Sequence, residues 1–547
     1  MYFCRVMKKI CTIAASLLVC LAVSAQSRNF NLGKWTEIHA SILKELNRSY
    51  VDTLPLDRME KEGINAMLSV LDPYTIYVPA EDNKDFEMMI SNTYGGIGAV
   101  IFKPDVQGNV IINEPYEGSP AQRNGIVCGD QIISIDGVPA KGLTSSDASS
   151  KMRGEPGTKV VLKMLKLRTG DTVDVAVTRE KIHLPDVTYS GMLNDKTGYI
   201  AVTGFSEGMA GQVRKEVVRL KKECGMSSLI LDLRNNGGGL LNEAVDLVSI
   251  FVPEGSLVVS AKGRAEGSDY TCLTKNKPVD TKMPLTVMIN SASASSSEIV
   301  AGSLQDMDRA TIVGSRSFGK GLVQSIRPLP YGGQLKVTTA KYYTPSGRCV
   351  QAIDYATRRE DGSVSHIPDS LTHTFKTASG RTVRDGGGIT PDIEIKPKEY
   401  SRISFSLVRS GVVEEFVLDY VCRHESIAEV DEFVLGDEEF DRFVEFAAGK
   451  EFDFRSSART YFDWMKDEIG KDGLSESLAS ELEALDKALT MEKTQMIRLK
   501  KDEIVPLIEQ EIVVRYYFQQ AGEKLRIRYD EELKKALELI SRAFPWA

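Results

Sequence analysis

Histidine is scarce in this chain. His39, His183, His366, His373 and His424 are the only five among 547 residues, and none lies in a segment that resembles a catalytic motif. A Ser-His-Asp triad, whose members can lie far apart in sequence, is therefore unsupported. Of the eight cysteines, Cys4, Cys11 and Cys20 fall near the N-terminus, and Cys128, Cys224, Cys272, Cys349 and Cys422 are scattered. An odd, scattered set without metal-ligand spacing argues against a disulfide framework and against a zinc site. The formal charge of −8, with no basic stripe, argues against nucleic acid as a partner. Beyond the N-terminus no segment is apolar for long enough to span a bilayer.

The N-terminus itself reads as an address. Arg5, Lys8 and Lys9 precede the apolar run 10–23, and Val23-Ser24-Ala25 before Gln26 fits a signal-peptidase site. Met7 would open a cleaner signal. The run is short of the roughly 20 residues of a spanning helix, so removal is favoured over anchoring. A signal peptide over residues 1–25 and a periplasmic or secreted mature chain are expected. Leu17-Leu18-Val19-Cys20 is a poor lipobox, because valine precedes the cysteine, and lipid anchoring at Cys20 is the weaker reading.

What the chain does have is a serine-rich corner. Leu285–Ile289 reads as a buried strand, Asn290-Ser-Ala-Ser-Ala-Ser295 as a tight loop, and from Glu298 the residues Ile299, Val300, Leu304 and Met307 fall near helical spacing. Ser295 then stands at a strand-to-helix corner, where the amides of Ser296 and its neighbours lie at the positive end of a helix dipole and could hold an oxyanion. A serine hydroxyl needs a base within hydrogen-bond reach to act as a nucleophile at neutral pH. Lys320 follows 25 residues later in the loop Ser317-Phe-Gly-Lys320-Gly321, after a strand over 310–314, with glycines on both sides to bring the amine close. Lysine accepts a proton only when neutral, and burial and nearby dipoles can lower a lysine's pKa by several units. Gln324, four residues on, shares a face with Lys320 in an extended segment and could orient it. Taken singly, serine repeats read more readily as flexible filler, and one lysine as a solvated loop residue.

A second motif, Leu229-Ile-Leu-Asp232-Leu-Arg234-Asn-Asn-Gly237-Gly-Gly239, is a buried strand running into a glycine turn and then a helix. Such a turn exposes amide N–H groups to a ligand. It lacks the lysine and spacing of a phosphate-binding loop, which disfavours nucleotides, and it could equally supply an oxyanion donor.

Five blocks in order resemble the carboxy-terminal processing proteases, also called tail-specific proteases. They are the Asp232–Gly239 turn, Ser291-Ala-Ser-Ala-Ser295 with Glu298-Ile-Val-Ala-Gly302, Ser317-Phe-Gly-Lys-Gly-Leu-Val-Gln324, Tyr343-Thr-Pro-Ser-Gly-Arg348 and Gly387-Gly-Ile-Thr-Pro-Asp392. The resemblance runs over residues 40–396. It implies Ser295 as nucleophile, Lys320 as general base, Gln324 as the lysine's partner, and an oxyanion hole from the backbone of Gly238 and Ser296. It also implies a crotonase-like αβ core. Two positions depart from the family pattern, with Ser296 in place of the usual alanine and Gly237 in place of a common proline.

An α+β multidomain chain is expected: a helical lead-in over 26–90, a PDZ domain over 91–182, the protease core over 183–400 and a helical domain over 401–547. The lead-in presents Ile38, Ile42, Leu43 and Leu46, then Met59, Ile64, Met67, Leu68 and Leu71 as apolar faces. The PDZ reading rests on three elements in order: Tyr94-Gly95-Gly96-Ile97-Gly98 before a strand, a short helix at Ser119-Pro-Ala121, and the strand and Asp-Gly turn of Gly129–Gly137. The glycine loop would offer amides to a terminal carboxylate, and the following strand would pair with the peptide. In the helical domain Val412, Val413, Phe416, Val417 and Tyr420 form one apolar face, and Ile504, Val505, Ile508, Ile512, Val513 and Phe518 another, with Pro506 kinking or beginning the second helix. A cap on the core and an oligomer contact are equally good readings of this domain.

Together these readings describe a secreted serine endopeptidase that acts at or near protein C-termini. No metal or organic cofactor is implied, the partners are polypeptides with free C-termini, and a homo-oligomer or an adaptor protein is left open. A catalytically silent PDZ scaffold is the alternative, opposed by the intact serine, lysine and glutamine. A small-ester hydrolase is a further rival, opposed by the PDZ-like segment.

Overall fold

The computed structural model describes residues 30–541 apart from 104–107, 360–361 and 490–491. The expected signal peptide lies outside the described residues. The chain divides into two compact units, Met1–Tyr77 and Val78–Ala547. The first holds a helix over 30–49 and the helix Leu56–Ser69. Asp72 closes the turn after them by accepting from the amides of Tyr74 and Thr75, both at 2.9 Å.

The second unit opens with the helix Asn83–Ser91 and a β-rich module. Its strands Ala99–Phe102, Val110–Pro115, Gln131–Ile135, Lys159–Leu165 and Thr172–Thr178 pair in that order. Alternation explains the packing: along Lys159–Leu165, Val160, Leu162 and Met164 point inward and the lysines outward. Two sequence signals appear as expected. Ser119 caps the short helix Pro120–Arg123, and Asp136 and Gly137, both at positive φ (48° and 80°), make the tight turn after Gln131–Ile135. One expectation needs correcting. Tyr94, Gly95 and Gly96 are not loop but strand, since Thr93–Gly96 pairs antiparallel with Glu180–His183, a partner about 90 residues away that local reading does not reveal.

The central sheet runs Val187–Met192, Thr197–Val202, Ser228–Asp232, Leu285–Ile289, Thr311–Gly314 and Ile393–Glu394. Only the first pair is antiparallel. Residues on both faces of the inner strands are buried, as their continuous apolar runs require. On one face Ile200, Leu231, Val287 and Ile312 pack with the helices Met209–Glu223, Leu241–Val248 and Ser296–Asp306. On the other, Tyr199, Ile230, Met288 and Val313 are covered by Leu533, Ala536 and Ile540 of the helix Glu531–Ile540. The end of the chain thus completes the core, which favours the cap reading of the helical domain.

The rest of that domain has its own core, built on Phe416, Phe443, Ile504, Ile508 and Ile512. The helix Lys501–Tyr529 starts before Pro506, and its break falls at Phe518, which sits at φ 65°. Next to the break, Arg515 and Gln519 hydrogen bond to Asn113 and Glu114 of the β-rich module. No helix among the described residues is long and apolar enough to cross a membrane.

Topology places three loops side by side. The strands Ser228–Asp232, Leu285–Ile289 and Thr311–Gly314 are parallel neighbours, and their carboxyl ends lead into the glycine turn, the serine corner and the lysine loop. Ligand sites of open αβ sheets form at such ends.

Leu533 is 2% exposed in the helix that covers the sheet. Leu533→Ala is expected to cost about 2–5 kcal/mol in denaturant unfolding. Tyr461→Ala, at a side chain 71% exposed, is expected to stay within about 0.5 kcal/mol of the parent.

Candidate active site

Ser295 immediately precedes the helix Ser296–Asp306 and has φ 57° and ψ −115°, a conformation rare for a side chain with a Cβ. Its surroundings over-determine that geometry. The Ser295 amide donates to Glu298 Oε2 at 2.9 Å, and its carbonyl accepts from the Ile299 amide at 2.9 Å and from the Tyr342 hydroxyl at 3.2 Å. The other serines are mortar. Ser293 Oγ donates to the carbonyl of Leu233, Ser296 Oγ to that of Gly239 and Ser297 Oγ to that of Asn236. All three are buried, whereas Ser295 is half-buried and faces a cleft.

Glu298 joins this corner to the lysine loop. Its carboxylate, fully buried, accepts from Ser317 Oγ at 2.6 Å, from the Gly319 amide at 2.7 Å and from the Lys320 amide at 2.8 Å, besides Ser295. Burial pushes the carboxyl above its usual range, and the four donors oppose that shift by stabilising the anion. The carbonyl of Lys320 is held in turn by the Tyr342 hydroxyl at 2.6 Å. Gly319, at φ 88°, has no room for a side chain, because a Cβ there would stand 2.3 Å from that of Ala352. By sequence alone Glu298 marks only the start of a helix. The signal was available, since Ser295-x-x-Glu298 has capping-box spacing.

The glycine turn packs directly on the serine corner. A Cβ on Gly238 (φ 97°) would lie 2.8 Å from that of Ser295 and 2.9 Å from the Ser296 nitrogen. Asn235 and Asn290 exchange two hydrogen bonds of 2.9 Å, stitching turn to corner. Asn236 Oδ1 takes the Gly238 amide at 2.9 Å, and its carbonyl takes the Ala294 amide at 3.0 Å. The Gly238 N–H, expected as an oxyanion donor, is therefore committed within its own turn. The amides of Gly239 and Ser296 donate to no acceptor among the described residues.

Ser295, Ser296, Lys320, Gln324 and Gly237 to Gly239 line one cleft of about 560 Å³, with Phe86, Ile326, Lys336 and Tyr342 on its walls. Gln324 Nε2 donates to Thr338 Oγ1 at 3.2 Å across the hairpin Leu322–Pro328 and Gln334–Tyr343. The remaining two sequence blocks hold the far end of the Ser296–Asp306 helix. Thr344 Oγ1 and the Ser346 amide donate to Asp306 at 2.5 and 3.0 Å, Arg348 pairs with Asp306 at 2.8 Å, and Asp392 takes Gln305 Nε2 at 2.9 Å.

Away from this cleft, the expected tail-binding segment lies in the β-rich module. Ile97 is buried in that module's core, Gly98 has φ 73°, and the amides of both donate to no described acceptor, while their carbonyls take the amides of Ala121 and Tyr116. Tyr94 lies against the guanidinium of Arg153, 5.3 Å from ring centroid to charge.

A buried ion network reaches the glycine turn from behind. Arg234 pairs with Asp232 and with Asp530, each at 2.6 Å, and Asp530 also caps the helix Glu531–Ile540 through the Leu533 amide at 2.9 Å. Burial works against the charge on Arg234, but Asp232 and Asp530 outweigh it and hold the guanidinium protonated.

Residues 196–357 match the model of peptidase family S41, 111–166 a PDZ domain, and 403–540 a probable PDZ-protease C-terminal helical domain. A carboxy-terminal-processing protease of Bartonella bacilliformis is 34% identical over 346 residues, which are 62% of this chain and 78% of that protein. The chain belongs to the carboxy-terminal-processing proteases of family S41. It is a serine-type peptidase with a PDZ domain. A probable CtpA-like serine protease of Staphylococcus aureus is 35% identical over 57% of this chain and 61% of its own length. Among solved structures, a photosystem II D1 C-terminal processing protease aligns with 26% identity and a TM-score of 0.35 over 65% of this chain and 86% of that one.

Glu298→Gln removes the anion that four donors share and turns an NH₂ toward one of them. This processing protease is expected to lose about 2–4 kcal/mol of stability and, because serine and lysine loops separate, at least about 100-fold in kcat. Denaturant unfolding and peptide kinetics on the same preparation check both.

Proposed function

We propose that the chain is an exported endopeptidase that cuts polypeptides at or near their C-termini with a Ser295–Lys320 dyad. The observation that carries this reading is that Ser295 alone among Ser293, Ser295, Ser296 and Ser297 is not buried, and that it shares its cleft with Lys320. In the proposed reaction Ser295 Oγ attacks the scissile carbonyl while neutral Lys320 takes its proton. The amides of Ser296 and Gly239 receive the oxyanion, and Gly238 joins them only if it releases Asn236. Protonated Lys320 then gives its proton to the leaving amine, and water attacks the acyl-enzyme with the lysine again as base. Gln324, on the same wall, orients the amine. The parallel sheet with helices on both faces supports a crotonase-like core for residues 183–400, between a PDZ domain over 91–182 and a helical domain over 401–547. Export rests on the N-terminal charges, apolar run and Val23-Ser24-Ala25 site.

In the PDZ domain the amides of Ile97 and Gly98, which donate to no acceptor among the described residues, would hold a terminal carboxylate. The strand Ala99–Phe102, at the edge of its sheet, is free on one side to pair with the tail.

Because nucleophile and base act as a unit, Ser295→Ala and Lys320→Ala are each expected to reduce cleavage of an unstructured protein to background, and the double variant to be little worse. Lys320→Arg should fail as well, since guanidinium stays protonated. For the parent enzyme kcat/KM should rise with pH as the base loses its proton. Cleavage that survives Ser295→Ala would sink the dyad, and absence of any cleavage by the parent would leave the silent scaffold.

The PDZ reading is tested on the substrate. Amidating a peptide's C-terminus removes a charge and an acceptor, and cleavage by the intact enzyme should slow by about ten- to a hundredfold. Equal rates for free-acid and amidated forms would count against tail recognition.

A further inference from the structure

Lys320 is not the only lysine in the catalytic cleft. Lys336 lies on the neighbouring strand Gln334–Tyr343, opposite Ile326, and lines the same cavity. Lys336 and Thr338 stand opposite Ile326 and Gln324, so these four share one face of the hairpin, and a bulge between Thr338 and Ala340 separates them from Tyr342. That face meets the reaction centre, because Thr338 accepts from Gln324 and both Gln324 and Lys336 line the cavity that holds Ser295 and Lys320.

Lys336 is half-buried, yet it makes no hydrogen bond or ion pair with any described residue. Burial alone lowers its pKa, with no carboxylate offsetting the loss of water. Asp186 is the acidic side chain among the described lining residues, and it is engaged by Asn92 Nδ2 at 3.3 Å and by the Ser206 amide at 3.1 Å. A half-buried ammonium that the fold leaves without an anion is a site for one brought by a ligand. Six residues separate Lys336 from Tyr342, roughly 20 Å along a strand, from which the side chain reaches back by about 6 Å. An extended chain covers the resulting span in about four to six residues.

We propose that Lys336 forms a carboxylate subsite in the cleft, binding an acidic side chain or the free terminus of a bound polypeptide about four to six residues from the scissile bond. The distance to the bond rests on the protease reading above; the subsite does not. Selection here would be additional to any tail binding by the PDZ domain.

The test uses the full chain carrying Ser295→Ala, so that peptides are bound rather than cut, with fluorescence anisotropy as readout. A neutral, C-terminally amidated peptide is scanned with Glu and, at the same positions, Gln; a third set carries Gln and a free terminus. At one position Glu should bind about tenfold more tightly than Gln. Adding Lys336→Met should bring that ratio to one, Lys336→Arg should keep it, and Lys336→Glu should reverse it in favour of Lys peptides. If Lys336→Met instead removes the advantage of the free-acid set, the bound carboxylate is the terminus. Matched thermal unfolding of the variants shows that the strand is intact. A Glu-to-Gln ratio and a free-acid advantage both unmoved by Lys336→Met would overturn the proposal. Failure of the dyad reading would appear separately, as peptide cleavage persisting in Ser295→Ala.

Discussion

One buried carboxylate holds the candidate site together. Glu298 gathers the amides of Ser295, Gly319 and Lys320 and the hydroxyl of Ser317, so two loops from adjacent strands converge on a single acceptor. An anion so far from water is costly unless each lone pair is used. Four donors meet that condition, and every one belongs to the serine corner or the lysine loop. The same bonds hold Ser295 at φ 57°, where a non-glycine residue stores of order 1–3 kcal/mol of strain. Ser293, Ser296 and Ser297 complete the frame by tying the corner to the carbonyls of Leu233, Gly239 and Asn236. A run that reads as flexible filler is therefore tied down, because the hydroxyls of Ser293, Ser296 and Ser297 are spent on backbone carbonyls while Ser295 faces the cleft.

The parts of the molecule legible in sequence are those with local signals. The strand Leu285–Ile289 and the helix that follows declare themselves by period, the Asp136–Gly137 turn by its residue types, and the lysine loop by its flanking glycines. What stayed hidden depends on partners far away in the chain. The Tyr94–Gly96 segment becomes a strand because Glu180–His183 lies alongside it, and no pattern near residue 94 announces that. The Gly238 amide looked like an open donor because the side chain two residues before it, Asn236, was not expected to fold back and accept it. Lys336 had no motif at all; only the register of its strand opposite Ile326 brings it into the cleft.

The C-terminal helices illustrate the same limit with more consequence. Their amphipathic faces could be read, but not that the last helix covers the second face of the catalytic sheet. That face had to be covered, since Tyr199, Ala201, Ile230, Met288 and Val313 point away from the helices around Ser295. A largely parallel sheet with one bare apolar face is not a stable object. Burial of these residues makes the helical domain part of the protease fold.

The ion network at that junction reaches further than packing does. Asp530, at the start of the covering helix, holds Arg234, which stands between the strand end at Asp232 and the glycine turn. Arg526 adds a second cation on Asp530 at 3.1 Å, and Tyr199 donates to Asp232 at 2.7 Å. Arg234, Asp232 and Asp530 are each buried against an opposite charge, so withdrawing one of them leaves another undercompensated, a defect of about 3–5 kcal/mol. The residue after Arg234 is Asn235, at φ 60° and bonded to Asn290 of the serine loop. Asn235 therefore links Arg234 to the glycine turn, where a Cβ on Gly238 would stand 2.8 Å from that of Ser295. The helical domain and the glycine turn are thus joined by a direct ion pair, although nearly 300 residues separate Arg234 from Asp530.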